Sequence, residues 1–86
     1  MQLELPGVGS LKEKRRILKS LLTRLRNDFN VSIAEVGTND VLRQALVGGA
    51  VVSNSSSYCH QVMAKLVRRV ESDPQIVLTD YQTETY

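Results

Sequence analysis

Two segments of the chain carry apolar residues at helical spacing, and in each segment these residues occupy one face only. The first face consists of Leu11, Leu18, Leu21, Leu22, Leu25 and Phe29, and the second of Cys59, Val62, Met63, Leu66, Val67 and Val70. Such spacing is typical of amphipathic helices. Because a helix with a single apolar stripe must bury it against another layer, we expect both helices to lie on a sheet.

Short polar signals set the ends of both predicted helices. Ser10 and Glu13 form a capping box, so the first helix begins directly after Ser10 and is predicted to end near Asn27 or Asp28. The serine-rich run 53–57 provides capping residues for the second helix. Asp73-Pro74 is predicted to end it.

Four further segments have the composition of strands. They are Gln2–Leu5, Asn30–Thr38, Leu42–Ser53 and Ile76–Tyr86, with a hairpin bend at Thr38-Asn39-Asp40 between the second and third. One side of the last strand is predicted to carry Val77, Thr79, Tyr81, Thr83 and Thr85. The resulting βαββαβ order predicts one ferredoxin-like α+β domain over residues 1–86, a four-stranded antiparallel sheet with both helices on one face.

The third predicted strand is apolar on both faces. Its residues Leu46, Ala50 and Val52 alternate with Ala45, Val47 and Val51. A sheet with one solvated face should alternate apolar and polar residues. Either the second face meets another copy in a homodimer, or the strand is central and its neighbours shield it.

Several classes of protein are disfavoured by composition. The longest apolar run, Ala45–Val52, is far shorter than the roughly 20 residues of a membrane-spanning helix, and the first residues do not resemble a secretory signal. We therefore expect a cytoplasmic protein that does not enter a membrane. Cys59 is the only cysteine and His60 the only histidine, so we expect no disulfide, no metal and no cofactor.

Basic residues are concentrated on the first helix, although the net charge is only +2. Helical spacing places five of them on one solvent-facing stripe, and three more occupy the polar face of the second helix. These candidate nucleic-acid-binding residues are Lys12, Arg15, Arg16, Lys19 and Arg26, extended by Lys65, Arg68 and Arg69. Such a stripe can bind a phosphate backbone, which predicts RNA or a ribosomal surface as the partner. A solvated helix surface and an acidic protein partner are the alternatives.

The remaining polar residues do not form a catalytic centre in the sequence. Lys14 falls near the apolar face, where its stem can pack while its ammonium reaches water. Glu35 and Asp40 bracket the hairpin bend and are interpreted as solvated turn residues. Cys59 and His60 are adjacent and point in different directions on a helix. Gly7-x-Gly9 lacks a complete phosphate-loop motif. Because none of these residues forms a recognisable catalytic group, we expect no enzymatic activity.

Residues 6–36, PGVGSLKEKRRILKSLLTRLRNDFNVSIAEV, together with AVVSN at 50–54, resemble the YlxP family of small bacterial proteins of unknown function. The resemblance implies a ferredoxin-like fold. It also implies genes that often lie among translation genes, beside an initiation factor and a ribosome-binding factor, and hence a link to the ribosome. Family members usually have a longer first strand than the one that starts here at Met1-Gln2. They also often have tryptophan at the position of Leu42, and the order of Arg43 and Gln44 is reversed.

Overall fold

The structure, a computed structural model, describes all 86 residues. The elements are β1 (Gln2–Glu4), α1 (Leu11–Asp28), β2 (Ser32–Glu35), β3 (Gln44–Ala50), α2 (Ser56–Glu71) and β4 (Val77–Asp80). The strands form one antiparallel sheet in the order β2-β3-β1-β4. This confirms the predicted ferredoxin-like βαββαβ fold.

Side-chain caps begin both helices, as the sequence predicts. The Ser10 hydroxyl accepts a hydrogen bond from the Glu13 N–H at 3.1 Å. The Glu13 carboxylate in turn accepts one from the Gly9 N–H at 3.5 Å. In α2 the Ser55 hydroxyl accepts from the Tyr58 N–H at 3.2 Å. These contacts satisfy backbone donors that have no partner within the helix.

The core lies between the two helices and one face of the sheet. The sheet contributes Leu3, Ile33, Ala45 and Val47, each of them at most 5% exposed. Leu3 of β1 pairs directly with Ala45 of β3, so the central strands place their apolar side chains side by side. The helical residues that belong to the same cluster are Ile17, Leu18, Leu21, Leu22, Leu25, Leu66 and Val70. The two apolar stripes read from the sequence thus pack on a shared surface.

The last strand is shorter than predicted. β4 ends at Asp80, and Tyr81–Tyr86 makes no backbone hydrogen bond. The register shifts by one residue between Leu78, which pairs with Leu3, and Asp80, which pairs with Gln2, so regular alternation does not continue past this irregularity. A strand requires a neighbouring ladder, and β1 pairs with β4 only as far as Gln2.

β3 is a central strand, and its neighbours shield its solvent face only in part. Leu46 is 36% exposed, and Val36 and Val77 are 44% and 48% exposed. Ala34, which pairs with Gly48, and Ala50 are also exposed on this side. We call Ala34, Val36, Leu46, Ala50 and Val77 the open-face patch. The open face of β3 thus carries one large apolar side chain, Leu46, which its neighbours cover only in part, and Val52 of the predicted second face lies beyond the end of β3.

Candidate nucleic-acid interface

Four basic side chains surround a shallow depression on the first half of α1. Lys12, Arg15, Arg16 and Lys19 line it together with Ser10 and Glu13, and no apolar side chain takes part. Their spacing of three and four residues stacks them on successive helical turns. We call these four residues the basic helix surface.

Most of the charge on the basic helix surface is not neutralised. Lys12, Arg16 and Lys19 are exposed and none of them is within an ion pair. Arg15 approaches the Asp40 carboxylate at 3.9 Å, and these two side chains are 60% and 95% exposed. An ion pair that long and that exposed to water contributes little free energy. The depression therefore has a positive surface that is open to an anionic partner.

The other predicted basic residues lie elsewhere or have partners of their own. Arg26 donates a hydrogen bond to the Ile33 carbonyl at 2.6 Å, which ties it to β2. Arg69 pairs with Asp28 at 2.6 Å and so joins the last turns of the two helices. Lys65 and Arg68 are exposed on α2 and have no ion pair. The predicted stripe is thus concentrated at the first half of α1.

Arg24, which the sequence did not single out, has a structural role at the opposite end of α1. Its guanidinium pairs with the Asp73 carboxylate at 2.9 Å, and the Asp73 side chain is only 6% exposed. The second Asp73 oxygen accepts a hydrogen bond from the Gln75 N–H at 2.9 Å. With the Arg69 pair, this contact fixes the end of α2 against α1.

Lys14 is the main correction to the sequence prediction. Its ammonium does not reach water, because the side chain is 0% exposed. The Nζ atom donates to the Thr38 carbonyl at 2.6 Å and the Val41 carbonyl at 2.5 Å. It also lies 2.8 Å from the Glu35 carboxylate. Three acceptors thus match the three N–H groups of one ammonium.

Glu35 is likewise more than a solvated turn residue. Its carboxylate is 12% exposed and accepts a hydrogen bond from the Thr38 hydroxyl at 2.9 Å. That hydroxyl accepts in turn from the Leu46 N–H at 2.7 Å. The network connects α1, the hairpin bend and β3, and the structure contains no buried side-chain N or O atom without a partner.

This network positions the hairpin bend beside the basic helix surface. Lys14 is the neighbour of Arg15 in α1 and binds two carbonyls of the bend that carries Asp40. The sequence did hold a signal for it, since Lys14 falls among the apolar positions Ile17, Leu18 and Leu21. A charged residue inside an apolar stripe requires a buried partner.

Cys59 and His60, which are adjacent in the sequence, have different surroundings in the structure. Cys59 is half-buried, and the exposed His60 lies 3.1 Å from the Thr85 hydroxyl through Nε2. The structure contains no group of three or more His, Cys, Asp or Glu residues able to hold a metal ion. Neither α1 nor α2 combines the length and the apolar character of a membrane-spanning helix. The pKa of Tyr86 is raised from 10.0, chiefly because its hydroxyl hydrogen-bonds to Glu84.

Comparison with known proteins decides the family. The family model described as "Protein of unknown function (DUF503)" matches residues 1–83. The chain belongs to this family. A relative from Bacillus subtilis (strain 168), "Uncharacterized protein YlxP", is 41% identical over 78 residues, which cover 91% of this chain and 85% of the relative. The resemblance to the YlxP family is thereby confirmed, and neither description names a partner or an activity.

Proposed function

We propose that this family member is a non-enzymatic cytoplasmic protein that binds RNA, including RNA exposed on ribosomal subunits, through the basic helix surface. The observation that carries the proposal is the set of four basic side chains around one open depression, three of them outside any ion pair. Their cations can replace the counterions of a phosphate backbone.

Recognition should depend on the backbone and shape of the RNA and not on its bases. Sequence-specific readers of single-stranded RNA stack bases on aromatic side chains, often across an open sheet. Here the open-face patch is aliphatic, with Ala34, Val36, Leu46 and Ala50 on β3 and beside it. Basic side chains along a helix instead contact successive phosphates of the RNA backbone. We therefore expect little preference for base sequence and a strong dependence on salt.

The salt dependence can be estimated from the number of cations. Each phosphate contact contributes roughly 0.7 to 0.9 to the slope of log K against log salt. Four contacts then weaken binding roughly 50- to 150-fold between about 50 and 200 mM salt. Exposed Lys65 and Arg68 would add to the slope only if the RNA also reaches α2.

The test is charge reversal of the central pair, Arg16→Glu with Lys19→Glu, measured by fluorescence anisotropy with a structured RNA and by co-sedimentation with ribosomal subunits. Both side chains are exposed, so circular dichroism should show an intact fold. The matched control, Lys65→Glu with Arg68→Glu, makes the same change in net charge on α2 and should cost less affinity. Equal losses would mean that only net charge matters, and unchanged binding by the first variant would refute the proposal.

A second candidate is a homodimeric protein–protein interaction module that uses the open-face patch. It is favoured by the exposure of Leu46, Val36 and Val77 on one sheet face. Under this alternative, Leu46→Asn or Ala50→Asn should weaken self-association more than charge reversal on α1 does. Because apolar contacts are not screened by ions, raising the salt concentration should leave that association intact.

A further inference from the structure

Arg43 directly precedes β3 and faces the helix side of the sheet. The ladder between β1 and β3 extends to it, because the Leu5 N–H donates to the Arg43 carbonyl at 3.0 Å. Side chains two residues apart along a strand point to the same face, and Ala45 and Val47, which follow at that spacing, belong to the core that the helices cover. Arg43 differs from them in that it lies at the rim of the core and is exposed.

The segment from the hairpin bend to Arg43 runs alongside the start of α1. At one end of the segment, Lys14 of α1 binds two carbonyls of the bend. At the other end, the Nε atom of Arg43 donates to the carbonyl of Val8, which precedes α1, at 3.1 Å. Lys12, the first residue of the basic helix surface, lies between these two contacts along the chain. Arg43 is thus positioned next to the N-terminal end of the basic helix surface.

The guanidinium of Arg43 is anchored at one edge and free at the other. The bond to the Val8 carbonyl is its only hydrogen bond, and it takes part in no ion pair. Both Nη groups are therefore without a partner, and they are the parallel donors with which arginine binds two oxygens of one phosphate. The neighbours of Val8 are Gly7 and Gly9, so no side chain at those positions covers the guanidinium. The free edge is open to an anion from solvent.

Arg43 also supplies the excess positive charge at this end of the surface. Lys12 shares the first turns of α1 with the Glu13 carboxylate, which lines the same depression. Arg15 similarly has the Asp40 carboxylate 3.9 Å away. The formal charges of these two cations and two carboxylates cancel, so a phosphate bound at this end requires a further cation. Arg43 provides it.

We infer that Arg43 is a fifth phosphate-binding residue, and that RNA bound on the basic helix surface continues past the start of α1 to the loop that precedes it. The inference rests on the proposed function and adds to it one end of the footprint. Because the Val8 carbonyl holds the guanidinium in place before RNA binds, little side-chain entropy is lost in the contact. Arg43 therefore fixes where the RNA strand meets the first turn of α1.

The test is Arg43→Gln, measured by fluorescence anisotropy with the same structured RNA over a range of salt concentrations. Loss of one phosphate contact should lower the slope of log K against log salt by roughly 0.7 to 0.9. Since such a contact contributes little at about 1 M salt, binding should weaken roughly five- to eightfold at about 0.1 M. Circular dichroism checks the fold, and an unfolded fraction would lower the affinity without lowering the slope.

A swap that conserves charge, Arg43→Gln with Gln44→Arg, is the matched control. Gln44 is the next residue along the strand and is exposed on the opposite face, so the swap keeps the composition and moves the guanidinium to the other side of the sheet. We expect the swap to lose as much affinity and slope as Arg43→Gln alone. Recovery of wild-type binding by the swap would overturn the inference, as would an unchanged slope in Arg43→Gln.

The charge-reversal variant of α1 separates this inference from the proposed function. Loss of binding in Arg16→Glu with Lys19→Glu, together with a wild-type slope in Arg43→Gln, would refute the role of Arg43 alone. RNA binding that the α1 variant does not weaken would refute the proposed function and this inference with it.

Discussion

Replacement of Lys14 by methionine should destabilise the domain far more than any other removal of a lysine. Methionine keeps the length of the side chain and lacks the charge and the three N–H donors. The change leaves the Glu35 carboxylate, 12% exposed, without its cation, and the Val41 carbonyl without the ammonium. The Thr38 carbonyl keeps a donor, since the Val41 N–H lies 3.0 Å from it.

The magnitude follows from these losses. Removing one partner of a buried ion pair costs about 3 to 5 kcal/mol, because the other charge remains buried. Glu35 is near the surface and keeps the Thr38 hydroxyl, so we expect the lower end, about 3 kcal/mol. An 86-residue domain has a free energy of unfolding of roughly 4 to 13 kcal/mol. A large share of the stability should therefore be lost.

The assay is urea denaturation followed by circular dichroism, with the transition midpoint compared at constant slope. Lys12→Met is the matched control, since Lys12 is exposed and outside any ion pair, and it should change stability by no more than about 0.5 kcal/mol. Adding Glu35→Gln to Lys14→Met removes the unpaired charge and keeps an acceptor for Thr38. That double variant should recover part of the loss, with a coupling energy of about 1 to 3 kcal/mol.

Unfolding of Lys14→Met and Lys12→Met at the same urea concentration would contradict the buried contacts of the Lys14 ammonium. That result would place the Lys14 ammonium in water, as the sequence prediction had it. Absence of coupling between Lys14→Met and Glu35→Gln would refute the ion pair alone, and would leave the two carbonyl contacts as the source of any destabilisation.

Two further stability measurements test local contacts. Thr38→Val removes the hydroxyl between the Leu46 N–H and Glu35 and should cost about 1 to 2 kcal/mol in urea; a neutral effect would mean that water replaces the hydroxyl. Ser10→Ala removes the N-cap of α1 and should cost about 1 kcal/mol, whereas Ser20→Ala, within the exposed face of the same helix, should not destabilise; equal effects would argue against capping.

The architecture could be predicted because its signals are local. The Ser10 cap, the apolar periodicity of both helices and the end of α1 at Asp28 all depend on residues within a few positions of each other. The spatial strand order β2-β3-β1-β4 is the one that domains with βαββαβ elements along the chain usually adopt. The extent of β4 was overestimated because strand composition does not reveal whether a partner strand lies alongside.

The candidate site was predictable only in part. Periodicity placed Lys12, Arg15, Arg16 and Lys19 on one face, and they do surround one depression. It could not show that Arg26 turns to the Ile33 carbonyl or that Arg69 meets Asp28, because those partners come from other elements. Whether the remaining residues bind RNA stays a prediction.

The two amphipathic helices, their caps and the concentration of charge on α1 follow from the amino-acid order alone, since each depends on spacing along one segment. Which charges have partners depends on how the elements pack in the folded chain. Lys14 is near the apolar stripe in sequence, but its three acceptors are brought to it by the hairpin bend. The free energy of a buried charge depends on groups that are distant in sequence and adjacent in space, and so it cannot be read from one helix.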